Sequence, residues 1–95
     1  MILKAYRVSG ISMEPSLREG DYVVVVKAKY KEGDVVVFKE DGMTLIKRVK
    51  KVGEKICLEG DNRIFKKRWE IEKEKIIGKA MLKISRNGSI SFLKS

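Results

Sequence analysis

Apolar and polar residues alternate along much of the chain, and this two-residue period is typical of strands that bury one face. The alternating segments are rich in valine and isoleucine and are separated by short turns that contain glycine, aspartate or asparagine. Two of these turns, Asp41-Gly42 and Asn87-Gly88, are hairpin signals. The predicted strands are Ile2–Val8, Tyr22–Ala28, Asp34–Lys39, Met43–Val52, Lys55–Glu59, Ile76–Ile84 and Ser89–Leu93.

The fold class follows from this series of short strands. No segment predicts an amphipathic helix of more than a turn or two, and the charged stretch 66–75 has Trp69 and Ile71 at strand spacing. A chain of 95 residues has room for a single core. We therefore predict one all-β domain over residues 1–95. Its coiled antiparallel sheets form a compact, partly open barrel, because closure or coiling protects the edges of small all-β domains.

The strand Met43–Val52 places a lysine on its more apolar face. Side chains two positions apart share a face, so Lys47 lies beside Leu45 and Val49. Desolvation lowers the pKa of a lysine, and a lysine that has lost its charge can act as a base, whereas one that titrates near pH 10.4 is already protonated. The pattern leaves two roles for Lys47: a general base, or a side chain that reaches water from the sheet edge.

The sequence excludes several kinds of catalytic and metal site. It contains no histidine, which excludes Ser-His-Asp and Cys-His catalysis and nearly all histidine-based metal sites. A serine nucleophile would need a lysine or a carboxylate as its base. The one cysteine, Cys57, leaves no intrachain disulfide and no cysteine pair for zinc, and we interpret it as a buried or half-buried thiol. We expect neither a metal nor a cofactor.

Nothing in the sequence predicts a membrane anchor. The longest apolar runs, Val23–Val26 and Val35–Phe38, are far shorter than the roughly 20 residues of a membrane helix. The N-terminus lacks the charged, apolar and cleavage regions of a secretory signal. We expect a soluble cytoplasmic protein, with any peripheral membrane association made through a partner.

The chain is strongly basic, with a formal net charge of +9 and 37% charged residues. Such a balance attracts nucleic acids or anionic lipids. The lysines are spread along the chain, however, and the tight cluster Lys66-Lys67-Arg68 beside Trp69 is more typical of a solvated face than of a nucleic-acid patch. Abundant lysine, glutamate, valine and isoleucine, with no glutamine and two asparagines, favour a heat-adapted source.

The stretch VSGISMEPSLREGD, residues 8–21, forms a constrained turn between the first two predicted strands. The backbone freedom of Gly10 permits a sharp bend, and Pro15 fixes its own φ and removes a hydrogen-bond donor. This turn presents Ser12, which could serve as a nucleophile. Serine and glycine are common in ordinary turns, so the stretch by itself favours a structural role.

Three ordered blocks over about residues 5–90 change this interpretation. They are Gly10-Ile11-Ser12-Met13 with Pro15 and Gly20-Asp21; Gly33–Phe38 followed by Ile46–Val49; and Gly60-Asp61-Asn62. This arrangement resembles the serine/lysine peptidases of families S24 and S26, which include type I signal peptidases and LexA-like repressors. The resemblance implies the fold of a LexA C-terminal domain or signal peptidase, with Ser12 as the nucleophile and Lys47 as the general base.

The implied reaction forms an oxyanion, which needs fixed N–H donors. We expect the turn to supply them from the Ser12 amide and a neighbouring amide, with Gly10, Ile11 and Met13 as the oxyanion and backbone support. Gly10 occupies a position where many signal peptidases have a serine, and in this respect the chain is more similar to the LexA group. Asp61 either orients Lys47 or caps a turn.

The resemblance also implies an extended polypeptide substrate with a small side chain just before the cleaved bond. LexA-like proteins cut their own chain at an Ala-Gly or Cys-Gly bond, but no such dipeptide lies among the eleven residues before Ser12. We therefore expect cleavage of another polypeptide.

Partners are predicted from the same resemblance. There is no room for a helix-turn-helix domain, so we do not expect direct operator binding, and a membrane or DNA-binding partner would be a separate protein. A homodimer would form through the last strand, Ser89–Leu93. The alternative function is a catalytically silent basic β-domain that binds nucleic acid or dimerises.

Overall fold

A computed structural model describes residues 3–93, and for Leu3 it describes the backbone only. Described residues form eight strands and one turn of 3-10 helix at Lys73–Lys75. The strands are β1 Leu3–Arg7, β2 Tyr22–Val26, β3 Val35–Glu40, β4 Met43–Val52, β5 Lys55–Glu59, β6 Arg68–Glu72, β7 Ile76–Ile84 and β8 Ile90–Phe92.

Seven of these strands confirm the prediction from alternation, with boundaries that differ by at most two residues. The predicted start of the first strand at Ile2 lies outside the described residues. β6 is not among the predicted strands, although the strand spacing of Trp69 and Ile71 indicated extended structure there. No helix within residues 3–93 is long and apolar enough to cross a membrane.

The strands form one antiparallel sheet in the order β1-β2-β7-β3-β4-β5-β6, with β8 added to β7. The sheet does not close on itself, and the radius of gyration of 12.3 Å is that of a compact domain of this length. The predictions of an all-β class and a partly open antiparallel form are therefore confirmed.

A tight hairpin sets the register that places Lys47. Asp41 and Gly42 both have positive φ, at 51° and 76°, as expected for a two-residue turn whose twist matches that of the flanking strands. The turn pairs β3 with β4 so that Lys47 lies directly opposite Val36. Since opposite residues point to the same face, Lys47 is directed toward the core that contains Val36.

The central strand β3 is buried on both faces, and two cores lie on either side of it. Val35 and Val37 belong to the first core, whereas Val36 and Phe38 belong to the second. The first core also contains Val8, Met13, Leu17, Val23, Val25 and Ala80. The second also contains Val49, Ile56, Leu58 and Ile71. Each core stabilises the sheet by burying apolar side chains.

Candidate active site

The turn that carries Ser12 is anchored in the first core. Met13 and Leu17 are buried, and the Leu17 amide donates a hydrogen bond of 3.0 Å to the Met13 carbonyl. The base of the turn is closed by two bonds, from the Gly20 amide to the Val8 carbonyl and from the Val8 amide to the Asp21 carbonyl. The residues between β1 and β2 are therefore held in one conformation.

Ser12 meets Lys47 although the two residues lie 35 positions apart. Lys47 Nζ donates a hydrogen bond of 2.5 Å to Ser12 Oγ. The lysine side chain is only 5% exposed, so the structure confirms the prediction that it lies on the apolar face of β4. This contact is suitable for proton transfer, because a neutral lysine at this position can accept the proton of the serine hydroxyl.

The surroundings of Lys47 favour its neutral form. Burial lowers the pKa of Lys47, and the positive charge of Lys67 lowers it further. An aromatic ring borders the site as well: Lys47 Nζ lies 4.9 Å from the centroid of the Trp69 ring, which packs edge-on against Phe38. A lysine with a lowered pKa can act as a general base nearer to neutral pH.

Asp61 contacts Arg48 and not Lys47. The Arg48 guanidinium donates two hydrogen bonds of 2.8 Å to the Asp61 carboxylate, from Nε and Nη2. Arg48 points to the opposite face of β4 from Lys47, since adjacent residues of a strand alternate. The interpretation in which Asp61 orients Lys47 does not agree with these contacts, and Asp61 joins its loop to the far face of β4.

The ion pair is held charged by its own contacts. Burial opposes ionisation of Asp61, but hydrogen bonds from Arg48 and Ser16 and the charge of Arg48 outweigh it and hold the pKa of Asp61 below its usual range. The hydrogen bond to Asp61 in turn raises the pKa of Arg48. Arg48 Nη1 also donates to the Gly33 carbonyl, at 2.6 Å. Arg48 thus connects two loops through β4.

Gly60 and Asn62 fix the backbone of the serine turn from the other side. The Asn62 amide donates to the Ser12 carbonyl at 2.9 Å, and Asn62 Nδ2 donates to the Ile11 carbonyl at 3.0 Å. A Cβ on Gly60 would lie 2.5 Å from the Ser12 carbonyl oxygen, so only glycine fits there without a shift of the backbone. Together these contacts orient the peptide groups beside the nucleophile.

Three amides of the turn are available to an oxyanion. Within residues 3–93, the N–H groups of Ile11, Ser12 and Met13 donate to no protein acceptor. The Gly10 amide, in contrast, donates to Glu19 Oε1 at 3.1 Å, so Gly10 supports the turn through its backbone conformation, with φ of +80°. Unused amides beside a nucleophile are the donors that stabilise a developing negative oxygen.

A small cavity of about 110 Å³ opens beside the dyad. It lies between the end of β1, at Arg7, and the first half of β4, and Ser12 and Lys47 line it. A water molecule occupies about 30 Å³ of liquid, so the cavity suits a small side chain. The site is thus connected to a space that a substrate residue can enter.

Acidic and cysteine side chains were also compared with the arrangement that a metal ion needs. Within residues 3–93, no group of three histidine, cysteine, aspartate or glutamate side chains is arranged to hold a metal ion. Cys57 is half-buried on β5, and its Sγ lies 3.9 Å from a carboxylate oxygen of Glu70, which agrees with the interpretation of a free thiol.

The structure brings the predicted pair Ser12 and Lys47 together, but the residues that hold this pair in place were not predicted. Gly60 and Asn62 belong to a block used for the resemblance, yet a role was predicted for Asp61 alone. Lys67 was considered only as part of a basic cluster, and Trp69 as a neighbour of that cluster and as a residue at strand spacing. The missing signal is the pairing of β6 with β5, which places Trp69 opposite Leu58 and so beside the second core.

The comparisons with known proteins agree with this geometry. A family model described as Peptidase S24-like matches residues 3–81, which include the serine turn, Lys47 and the loop at Asn62. A comparison with curated proteins found no match. Since the family model covers most of the chain, the chain belongs to the Peptidase S24-like family.

Proposed function

We propose that this protein is a serine endopeptidase that cleaves another polypeptide with a Ser12–Lys47 dyad. The observation that carries the proposal is the 2.5 Å contact between Lys47 Nζ and Ser12 Oγ, made by a lysine that is 5% exposed. Burial of a lysine lowers the stability of the fold, because its charged form is desolvated. A purely structural role of the turn does not account for a lysine buried beside a serine hydroxyl.

The reaction begins with neutral Lys47. Lys47 Nζ accepts the proton of the Ser12 hydroxyl as Oγ bonds to the carbonyl carbon of the substrate, and the carbonyl oxygen becomes negative. The Lys47 ammonium then donates that proton to the leaving amine, and the C–N bond breaks to give an acyl-enzyme. A water molecule, deprotonated by Lys47, attacks the acyl carbon and releases Ser12 with its proton restored.

The oxyanion is stabilised by the backbone of the turn. The amides of Ile11, Ser12 and Met13 are the candidate donors, and the bonds from Asn62 to the Ile11 and Ser12 carbonyls preorganise them. Removal of one such donor in a serine protease costs about 3–4 kcal/mol of transition-state stabilisation. Because the fold already orients these amides, no further free energy is needed to align them during the reaction.

Two free strand edges beside the dyad can bind an extended substrate. Within the described residues, β1 pairs on one side only, and the segment Met43–Lys47 of β4 pairs with β3 but not with β5, whose pairing starts at Arg48. An extended peptide between these edges would gain main-chain hydrogen bonds, and the 110 Å³ cavity would admit a small side chain next to the cleaved bond.

The substrate is proposed to be a separate polypeptide. Every residue of β1 pairs with a residue of β2, from Leu3 opposite Val26 to Arg7 opposite Tyr22. The described segment immediately before the serine turn is therefore part of the sheet, and it is not free to enter the site as a substrate.

Hydrolysis of a peptide library by the purified protein tests the proposal. Wild type, Ser12→Ala and Lys47→Ala are compared from pH 6 to 10, with products identified by mass spectrometry. We expect a wild-type rate that rises with pH through a pKa below that of free lysine, and a loss of at least about 100-fold in both variants. Matched controls are Ser89→Ala, an exposed serine away from the cavity, and Lys50→Ala, an exposed lysine of the same strand.

The same experiment distinguishes the proposed peptidase from the alternative, a basic binding module. Retained cleavage in Ser12→Ala, or absence of cleavage by the wild type at every pH, contradicts the dyad. In that case, salt-sensitive retention of DNA or RNA that survives Ser12→Ala would favour a basic binding module.

We also propose that the protein dimerises through β8. Ile90 and Phe92 lie on one face of this strand and are 66% and 79% exposed, which is unusual for large apolar side chains at a sheet edge. Light scattering at tens of micromolar is expected to give the mass of a dimer, and Phe92→Lys the mass of a monomer. Ile64→Lys, at an equally exposed position outside β8, is the control. A monomeric wild type contradicts this proposal.

A further inference from the structure

Two lysines share one tryptophan ring at the edge of the second core. Lys47 Nζ lies 4.9 Å and Lys67 Nζ 4.8 Å from the centroid of Trp69. Trp69 is half-buried on β6, whereas Lys67 is exposed in the segment just before that strand. The ring thus connects a buried ammonium group with an exposed one.

The two ammonium nitrogens must lie within about 10 Å of each other, because both are within 5 Å of one centroid. This is close to the Debye length of about 8–10 Å in 0.1–0.15 M salt, and part of the space between them is low-dielectric ring. The positive charge of Lys67 is therefore close enough to act on Lys47, and salt should weaken this effect. This charge favours loss of the Lys47 proton, in the same direction as burial.

Trp69 has two opposing effects on Lys47, so its own contribution has no clear sign. The ring excludes water, which favours the neutral amine, but its negative face attracts an ammonium ion. The same attraction, however, holds the flexible Lys67 side chain close to the site. The geometry thus gives Trp69 the role of a platform and Lys67 that of the charge.

The other groups that face Lys47 do not replace this charge. Ser12 approaches from the serine turn, and Val36 and Leu58 contribute apolar surface from β3 and β5. On β7, Lys79 lies opposite Val36, but its ammonium group is 3.3 Å from Asp34 Oδ2 and is neutralised there. On β4 itself, Arg48 points to the other face. On β1, Arg7 lines the same cavity as Lys47 and is a further cation on this side of the site. Among the described residues, the charge that lowers the pKa of Lys47 is that of Lys67.

We propose that Lys67, held over Trp69, is a positioning residue that keeps Lys47 uncharged and so ready to accept the Ser12 proton. This inference rests on the proposed function and assigns a regulator to its base. Like-charge repulsion across an aromatic ring would thus act on this base, whereas in Ser-His-Asp hydrolases a carboxylate orients the histidine base.

The first test follows kcat/KM against pH in Lys67→Gln and Lys67→Glu. On the acidic side of the profile, where most Lys47 is protonated, we expect about a threefold loss for Gln and about a tenfold loss for Glu, with little change at high pH. Lys66→Glu changes the net charge equally at the neighbouring exposed position and is the matched control. In 1 M salt the difference between wild type and Lys67→Gln should shrink, since the Debye length falls to about 3 Å.

A second test does not depend on peptidase activity. Lysine labelled with ¹³C at Cε is titrated by NMR, and the Lys47 signal is assigned by its absence in Lys47→Met. Lys67→Gln is expected to move the Lys47 titration to higher pH, and Lys66→Gln to leave it in place. An unchanged Lys47 titration in Lys67→Gln, or an equal shift in Lys66→Gln, overturns the inference. If the shift occurs in a protein that cleaves no peptide, the inference stands and the proposed function fails.

Discussion

Two adjacent cations on β4 show how one strand supplies opposite kinds of chemistry. Arg48, on one face, is bound by both oxygens of Asp61 and by the Gly33 carbonyl, and its charge is fully compensated. Lys47, on the other face, is more deeply buried. It contacts a serine hydroxyl and an aromatic ring. Within the described residues no carboxylate contacts Lys47.

The difference in pairing between Arg48 and Lys47 suits one cation to stabilising the fold and the other to reacting. A charge that is paired and hydrogen-bonded stays charged and holds loops together, as Arg48 does for the loops at Gly33 and Asp61. A charge that is buried without a counter-ion is easily lost, and a neutral amine is a base. The alternation of a strand therefore places a structural cation and the proposed catalytic base at two consecutive positions.

The largest expected effect comes from breaking the pair on the Arg48 face. Asp61→Ala leaves the Arg48 guanidinium partly buried without its carboxylate, and we expect a loss of about 3–5 kcal/mol in the free energy of unfolding, measured by urea denaturation. The double variant Arg48→Met/Asp61→Leu is expected to regain most of this loss, because two apolar groups leave no buried charge. If Asp61→Ala is as stable as the wild type, the pair has no structural role.

The pH dependence of this loss sharpens the prediction. The pKa of Asp61 is held below its usual 3.8 in the folded protein, so the ion pair contributes its full stability above that pH. As the pH falls through the lowered pKa, the contribution disappears. The stability of Asp61→Asn should therefore approach that of the wild type in strong acid.

A smaller effect of opposite sign is expected on the Lys47 face. Lys47→Met replaces a buried amine with an apolar side chain of similar length, and we expect it to stabilise the fold at pH 7 by about 1 kcal/mol while it abolishes cleavage. Because the folded pKa of Lys47 lies below its usual 10.5, the unfolded chain binds more protons between these two values, and wild-type stability rises with pH there. The advantage of Lys47→Met should thus narrow toward pH 10.

Thermal unfolding of wild type, Lys47→Met and the control Lys50→Met checks this expectation. Lys50 is exposed on the same strand, so its replacement should change stability little at any pH. A less stable Lys47→Met at pH 7 would mean that the ammonium group is stabilised in the fold, contrary to the role of a base.

The sequence predicted most of the sheet and the apolar surroundings of Lys47, for local reasons. Alternation and the Asp41-Gly42 turn fix β3 and β4 and thereby place Lys47 on an apolar face without knowledge of any distant contact. The match of Ser12 to Lys47 came from the family resemblance, since no local pattern connects residues 35 positions apart. β6 was missed because charged residues alternate with Trp69 and Ile71 and mask the short strand.

The contacts that Asp61 and Asn62 make around the site could not be predicted, since they depend on which loops lie close together in the fold. Both Lys47 and Arg48 were candidate partners of Asp61. Only the fold shows that the Asp61 loop lies on the Arg48 face of β4. Asn62 likewise reaches Ile11 across 51 positions of sequence. Short polar side chains in turns bind nearby backbone by default, so a local interpretation favours a turn cap.

The free edge of β4 at Met43–Lys47 also has a consequence for the behaviour of the protein in concentrated solution. Unpaired backbone groups accept any extended segment, including the edge of another copy, and such edges are starting points for aggregation. For the substrate binding proposed above, this edge must stay uncovered by a permanent strand. Positive charges lie around this edge, at Arg7 and Lys39 among others, and they repel further copies of this basic chain. Electrostatic repulsion therefore opposes aggregation through an edge whose backbone groups are unpaired.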